Sequence, residues 1–394
     1  MTARKPDLAQ VAAALVLFAL SWTLLHFGFY ERDQIVDTPV YESYGEAMAD
    51  GDVPYRDFRV EYPPGALPVF LAPALADVDY RGAFEWLMAL CGGGMIVAVA
   101  LSARQLGLGF GTLAFVALSP LAIGSVILTR FDLWPAMLAS FALTALLYDR
   151  LRLGHVLLGA SIAAKLYPAL FLPLTVAYVW RRRGRREALL CGALTVGVVV
   201  AVYLPLLLVA PGGVLSSIGR QLSRPLQIES LGSALLLAAH DAFGLGIEMH
   251  SSHGSQNLAG AAPDVLAVLL SVAQVAVLVW LWTRFARERA PSRYELAAYA
   301  ATVLTAFVAL GKVLSPQFLI WLVPVVPLAR RLSATALLLA ALVLTQLWFP
   351  FRYWDLVREF DPLASWLVLV RDLVLLALLV VLARSLRRGP SRSA

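Results

Sequence analysis

Lysine is nearly missing from this 394-residue chain: of its 32 Lys and Arg residues, only Lys5, Lys165 and Lys312 are lysine. Charge of either sign is scarce as well, at 15% where soluble domains carry about 25%, while 60% of residues are hydrophobic. That shortage excludes a soluble globular enzyme, and the abundance of aromatics and aliphatics excludes a disordered chain. There are two cysteines, Cys91 and Cys191, both inside apolar runs, so no disulfide framework is expected. No P-loop, glycine-rich dinucleotide fingerprint, Ser-His-Asp signature or CxxC pair occurs, so nothing points to ATP or a soluble nucleotide. The net charge of +6 reads as membrane topology, and no nucleic-acid partner is expected.

What the chain has instead is apolar runs from end to end. They fall at about 8–29, 82–101, 111–128, 132–149, 153–180, 187–209, 263–283, 294–311, 315–329, 332–349 and 363–384. A run near 20 residues crosses a bilayer core of about 30 Å. The first follows Arg4 and Lys5 and is too long for a signal-peptide core, so it reads as a retained helix. The expectation is an all-α polytopic membrane protein, with residues 1–394 forming one integral membrane domain. Richness in Arg, Ala, Leu and Val fits a GC-rich bacterial genome and hence a bacterial plasma membrane.

Basic clusters set the orientation. With both termini cytoplasmic, Arg104, Arg150, Arg152, the Arg181–Arg186 run, Arg284–Arg293, Arg330, Arg331 and Arg384–Arg392 all lie inside. This requires the 153–180 run to enter and return on one side, as a short helical hairpin bent near Lys165, Tyr167 and Pro168. About twelve crossings result. The inner links then hold 20 Lys/Arg and 5 Asp/Glu, the outer ones 10 and 20.

The polar residues concentrate in two long outer loops, 30–81 and 210–262. Long loops in an otherwise economical chain tend to be functional. In the first, Val40, Tyr41, Tyr44, Ala47 and Met48 are spaced for an amphipathic interfacial helix starting at Asp37. A carboxylate there suits a general base for a sugar hydroxyl, or simply a helix cap. Glu31, Asp33, Asp50, Asp52 and Asp57 read as solvated loop residues, and Glu61-Tyr62-Pro63-Pro64-Gly65 leads back to the bilayer.

A tight turn, Thr129-Arg130-Phe131-Asp132, presents a cation and a carboxylate at the same surface. Arg130 suits a lipid phosphate as a fork, or snorkels at a helix end. Lys165 is the stronger signal: a lysine in an apolar hairpin costs about 2.5–3.5 kcal/mol on insertion scales and needs a counter-charge or a wet cavity. Lys312, Arg220 and Arg224 add cations on the outer side. Arg371 and Asp372, adjacent in the last run, are expected to face different ways and pair with other helices. His240, His250 and His253 sit on a glycine- and serine-rich loop, and no metal is expected.

At these residues the chain resembles the GT-C superfamily of membrane glycosyltransferases, and within it glycosyltransferase family 87. The stretches DTPVYESYGEAMADGDVPYRDFRVEYPPG, AAKLYPALFLPL, RPLQIESLG and LSPQFLIWLVP carry the resemblance. It implies a GT-C fold and an inverting transfer of a sugar, mannose for the α-1,2-mannosyltransferases that the family includes, from a polyprenyl-phosphate donor. The acceptor would be a glycolipid or cell-envelope glycan at the extracytoplasmic face. No cofactor is implied beyond that donor substrate. By the resemblance Asp37 is the general base, with Lys165, Arg130, Lys312 and Arg224 on the donor phosphate. Tyr41, Tyr44, Glu61, Tyr62, Asp132, Tyr167, Gln227, Glu229 and Gln317 are left for sugar or acceptor. A lipid or sugar transporter is the alternative, which predicts polar groups along a central path through paired halves; no internal repeat is visible.

Overall fold

The computed structural model describes residues 6–32 and 34–386. The expectations for Arg4, Lys5, Asp33, Arg387, Arg388 and Arg392 lie outside the described residues.

The protein is 75% helical. Among the described residues, four helices are long and apolar enough to cross a membrane: Tyr80–Leu106, Arg185–Val209, Ala261–Ala286 and Pro362–Ser385. A fifth is formed if Leu332–Trp348 and Tyr353–Glu359, bent by 67°, are one span. The rest are shorter than their apolar runs. The 111–128 run becomes Phe110–Ile123 and a single turn at Val126–Thr129, separated at Gly124. The 315–329 run becomes Phe318–Leu322 and a 3-10 turn at Val326–Ala329. Hydropathy counts apolar residues and does not register a break whose polar groups are satisfied inside the protein. The chain is thus a helical membrane protein with many short, broken helices.

Starts and stops follow local chemistry. Asp79 and Asp361 cap the Tyr80 and Pro362 helices through their carboxylates, at 2.9 and 2.8 Å. Ser292 and Glu295 close a capping box on the Arg293–Ala309 helix. The long helices differ in what they face. Tyr80–Leu106 is mostly buried, whereas Arg185–Val209 and Ala261–Ala286 expose Val200, Leu204, Leu208, Val268, Leu269 and Val272, an apolar exterior suited to lipid.

The 153–180 run bends where expected. Leu151–Ala164 stops at Lys165, whose backbone is extended, and Tyr167–Phe171 forms a 3-10 turn before Leu172–Arg183. The two ends of the segment meet: Arg152 pairs with Glu187 at 2.8 Å and Arg183 with Asp149. At the same end of the bundle Arg181 donates to the Ala286 carbonyl and Arg293 to Gln105.

The second long loop is not purely helical. After the Pro211–Leu222 helix it forms a three-stranded antiparallel sheet in the order β1 (Leu226–Gln227), β3 (Ser255–Ala259), β2 (Glu248–Ser252). His253 and Gly254 both have positive φ at the tip of the β2–β3 hairpin, the twist that a two-residue turn requires. The expected glycine- and serine-rich loop is therefore a hairpin, with His250 on β2 opposite Asn257.

Candidate active site

Two acidic residues stand at helix starts without capping them. Asp37 precedes Thr38–Ala49 and Asp132 precedes Leu133–Leu147, and neither side chain bonds a helix N–H. The expected helix at 38–48 forms, but its tyrosines pack inward: Tyr41 stacks on Phe70 at 4.5 Å, and Val40 is exposed rather than on the apolar face. The plain-cap reading of Asp37 fails, because its Oδ2 instead lies 3.1 Å from Arg130 Nε and accepts from the Tyr41 hydroxyl at 3.3 Å. Arg130 is 6% exposed, so snorkelling does not describe it, while Asp37 keeps 32%. The guanidinium is poorly satisfied. Nη1 reaches Thr129 at 3.4 Å and Nε has no aligned acceptor.

Asp132 lies 1% exposed and binds Lys165 Nζ at 2.6 Å and the Trp321 indole N–H at 2.5 Å, both on Oδ1. Its Oδ2 is buried without a partner. Lys165 thus has the counter-charge its sequence position demanded. Aromatic faces surround the ammonium, with Phe131 at 4.5 Å and Trp321 at 5.2 Å. Tyr167 stacks on Trp321 at 4.1 Å, and Trp321 on Phe318 at 4.1 Å. Tyr62 closes the group edge-on to Phe131 and Tyr41, and its carbonyl accepts the Tyr55 hydroxyl at 2.6 Å.

A second buried group comes from the strand-bearing loop. Gln227 donates from its amide to Glu229 and to Ser315 Oγ at 3.3 Å, leaving its own Oε1 unpartnered. Burial pushes the Glu229 carboxyl up to about 7, against the opposing pull of Arg371, Gln227 and Arg224. Arg224 is mostly buried with an unbonded Nε, and burial lowers its guanidinium from its usual value despite Glu229 and Glu61. Arg371 and Asp372 do not look apart as expected: Arg371 Nε lies 2.7 Å from Asp372 Oδ1. Arg371 Nη2 reaches on to the Glu229 carbonyl at 2.7 Å.

Lys312 serves this loop rather than the Asp37 group. Its Nζ donates to the Leu222 carbonyl at 3.3 Å and its carbonyl accepts from Gln227 N–H at 3.0 Å. Gln317 stands half-buried at the start of the short helix that carries Trp321, its carbonyl accepting from Ile320. Glu61 faces elsewhere again. It lies 3.6 Å from Arg220 and lines a 440 Å³ cavity with Tyr44, Arg59, Ser216, Ser217 and Gln221. Asp37, Arg130, Asp132 and Lys165 are not in its lining. Glu31, Asp50, Asp52 and Asp57 are exposed, as expected.

Buried cations paired with carboxylates can handle anions and hydroxyls, and comparison of the whole chain with known families places the chain, though not each residue, in a family. The model of glycosyltransferase family 87 matches residues 61–316, close to two thirds of the chain. The chain belongs to that family. As a family 87 glycosyltransferase it carries Arg130, Asp132, Lys165, Glu229 and Lys312 inside the matched stretch, with Asp37, Tyr41 and Tyr44 before it and Gln317 after. No curated protein sequence matches the chain. Among the described residues, no group of three or more His, Cys, Asp or Glu is placed to hold a metal ion.

Sequence reasoning passed over Trp321 and Phe131. Trp321 reads as an apolar residue in an apolar run and Phe131 as the filler of a charged turn, and only the fold shows Trp321 bonding Asp132 and both rings facing Lys165. The one available signal was that Lys165 needed company.

Proposed function

We propose that this glycosyltransferase moves a mannosyl unit from a polyprenyl-phosphate donor to a glycolipid or cell-envelope glycan at the extracytoplasmic face of a bacterial plasma membrane. Both termini are cytoplasmic, and the broken helices make up about twelve crossings. The charge separation between inner and outer links and the clasped ends of the Lys165 hairpin support this orientation.

The observation that carries the reading is the Asp37–Arg130 pair. A buried guanidinium with unbonded donors is built to receive an anion, and its present partner is a half-exposed carboxylate. When the donor phosphate takes Arg130, with Lys165 beside it, Asp37 is freed from its cation to face the acceptor hydroxyl. It then removes the proton of the acceptor hydroxyl as that oxygen bonds to the anomeric carbon. The bond from that carbon to the phosphate oxygen breaks, and polyprenyl phosphate leaves with its new negative charge met by Arg130 and Lys165. One displacement inverts the anomeric centre. Asp132 positions Lys165, and Tyr41 and Tyr62 shape the wall behind Asp37.

The test separates binding from chemistry. Asp37→Asn should lower sugar transfer by about 10²–10⁴-fold, the contribution of a positioned general base, while retaining labelled donor at least as tightly as wild type. Undiminished transfer would remove Asp37 from the base role.

A further inference from the structure

We propose that the cavity at the end of the bundle opposite Asp132 and Lys165 holds the headgroup of a zwitterionic phospholipid, a phosphate joined to a primary ammonium as in phosphatidylethanolamine. The inference needs only that the bundle lies in a bilayer, and it is independent of which sugar is moved and of the role of Asp37.

Two helices fix the place. Leu133–Leu147 runs away from Asp132, and Leu151–Ala164 runs back to Lys165. A helix of 15 residues rises about 22 Å, so the link between the two lies most of a bilayer core away from the buried pairs. There a 500 Å³ cavity opens whose lining includes Asp149, Arg150, Arg152, Leu153, Arg183 and Glu187.

The ion pairs leave one donor group and one acceptor over. Arg152 is committed to Glu187, with Nε and Nη2 donating to the two carboxylate oxygens at 2.8 and 3.0 Å. Arg183 Nη2 donates to Asp149 Oδ2. Asp149 Oδ1 is buried with no hydrogen-bond partner. The Arg150 guanidinium is exposed and takes part in no hydrogen bond or ion pair among the described residues. An orphan acceptor and an idle guanidinium in one cavity match an ammonium and a phosphate on one ligand. A purely anionic headgroup would use Arg150 and leave Oδ1 bare, and a quaternary ammonium has no N–H to donate to it.

The backbone holds this acceptor at the cavity. Asp149 has a φ of 63°, its N–H bonds the Leu146 carbonyl, and Arg150 N–H bonds the Ala145 carbonyl. That is the helix-ending turn in which glycine is usual, because positive φ disfavours an L side chain. With aspartate there instead, the turn presents a carboxylate to the cavity.

The surroundings favour a lipid over the free headgroup. Leu153 of the lining is exposed, as are Leu189 and Leu190 in the Arg185–Val209 helix and Trp180 shortly before Arg183. Exposed leucines beside arginines, with a tryptophan at the same level, mark the boundary between headgroups and acyl chains. The chains lie along those leucines while the headgroup enters the cavity.

The experiment titrates the full chain in detergent by native mass spectrometry. Its probes are dioleoyl phosphatidylethanolamine, phosphatidylcholine and phosphatidylglycerol, and soluble O-phosphoethanolamine. Wild type should hold the ethanolamine lipid about tenfold more tightly than the choline lipid, the contribution of one charged hydrogen bond. Asp149→Gly suits the positive φ and should erase that preference, while holding the glycerol lipid at least as tightly as wild type. Arg150→Ala, at an exposed position, should weaken the ethanolamine and glycerol lipids alike. Equal wild-type affinities for the ethanolamine and choline lipids, a preference that outlasts Asp149→Gly, or undiminished binding by Arg150→Ala would overturn the proposal. O-phosphoethanolamine binding as tightly as the lipid would refute a bilayer occupant.

Discussion

The two ends of the helical bundle hold the same kinds of pair under opposite conditions. At one end Arg152–Glu187 and Arg183–Asp149 clasp the hairpin with side chains up to 63% exposed. At the other, Arg130–Asp37 and Lys165–Asp132 bury three of their four members at 16% exposure or less. Exposed pairs lose most of their attraction to water and salt. Buried ones pay heavily for desolvation and hold the fold no better than apolar packing would. The exposed set is explained by topology and loop closure. The buried set needs another reason to exist, and the anion-handling role proposed above would supply it.

Breaking one buried pair should have the largest effect. Lys165→Met leaves Asp132 charged with no cation and only the Trp321 N–H, which costs about 3–5 kcal/mol, so the melting midpoint in detergent should fall sharply. Lys165→Met with Asp132→Asn should recover most of the midpoint, yet donor affinity should stay weak. Full donor affinity in the refolded double variant would show that the pair is structural and erase the contrast between the two ends.

Glu229 sharpens the comparison through pH. A carboxyl raised to about 7 by burial contributes stability that is present below its unfolded value near 4.5 and lost as pH rises through 7. Glu229→Gln removes that loss, and the amide can donate to the unpartnered Gln227 Oε1. The variant should therefore melt above wild type at pH 8, by up to about 3 kcal/mol, and alongside it at pH 4.5. Parallel pH profiles would contradict a buried, neutral Glu229.

The smallest effect belongs to the exposed end. Arg152→Ala should leave both the melting midpoint and transfer within experimental error of wild type. A marked loss of either would mean that the hairpin clasp matters as much as the buried pairs.

Much of the site was legible because charge in an apolar chain is conspicuous. Lys165 demanded a counter-charge, the Thr129–Asp132 turn put two charges at one surface, and the spacing after Asp37 foretold its helix. The three-stranded sheet was not legible: its strands are short, polar and separated by a helix, so no period-2 pattern stands out. Nor was the Arg371–Asp372 contact, since adjacency on a helix argues against it.

From composition and charge spacing alone came the membrane environment and the bend at Lys165, because insertion costs act on each segment separately. Tertiary structure decided which carboxylate holds which cation, that Trp321 and Phe131 enclose Lys165, and that two loops far apart in sequence share a cavity. Those choices depend on distances between helices, and a linear sequence states such distances only indirectly.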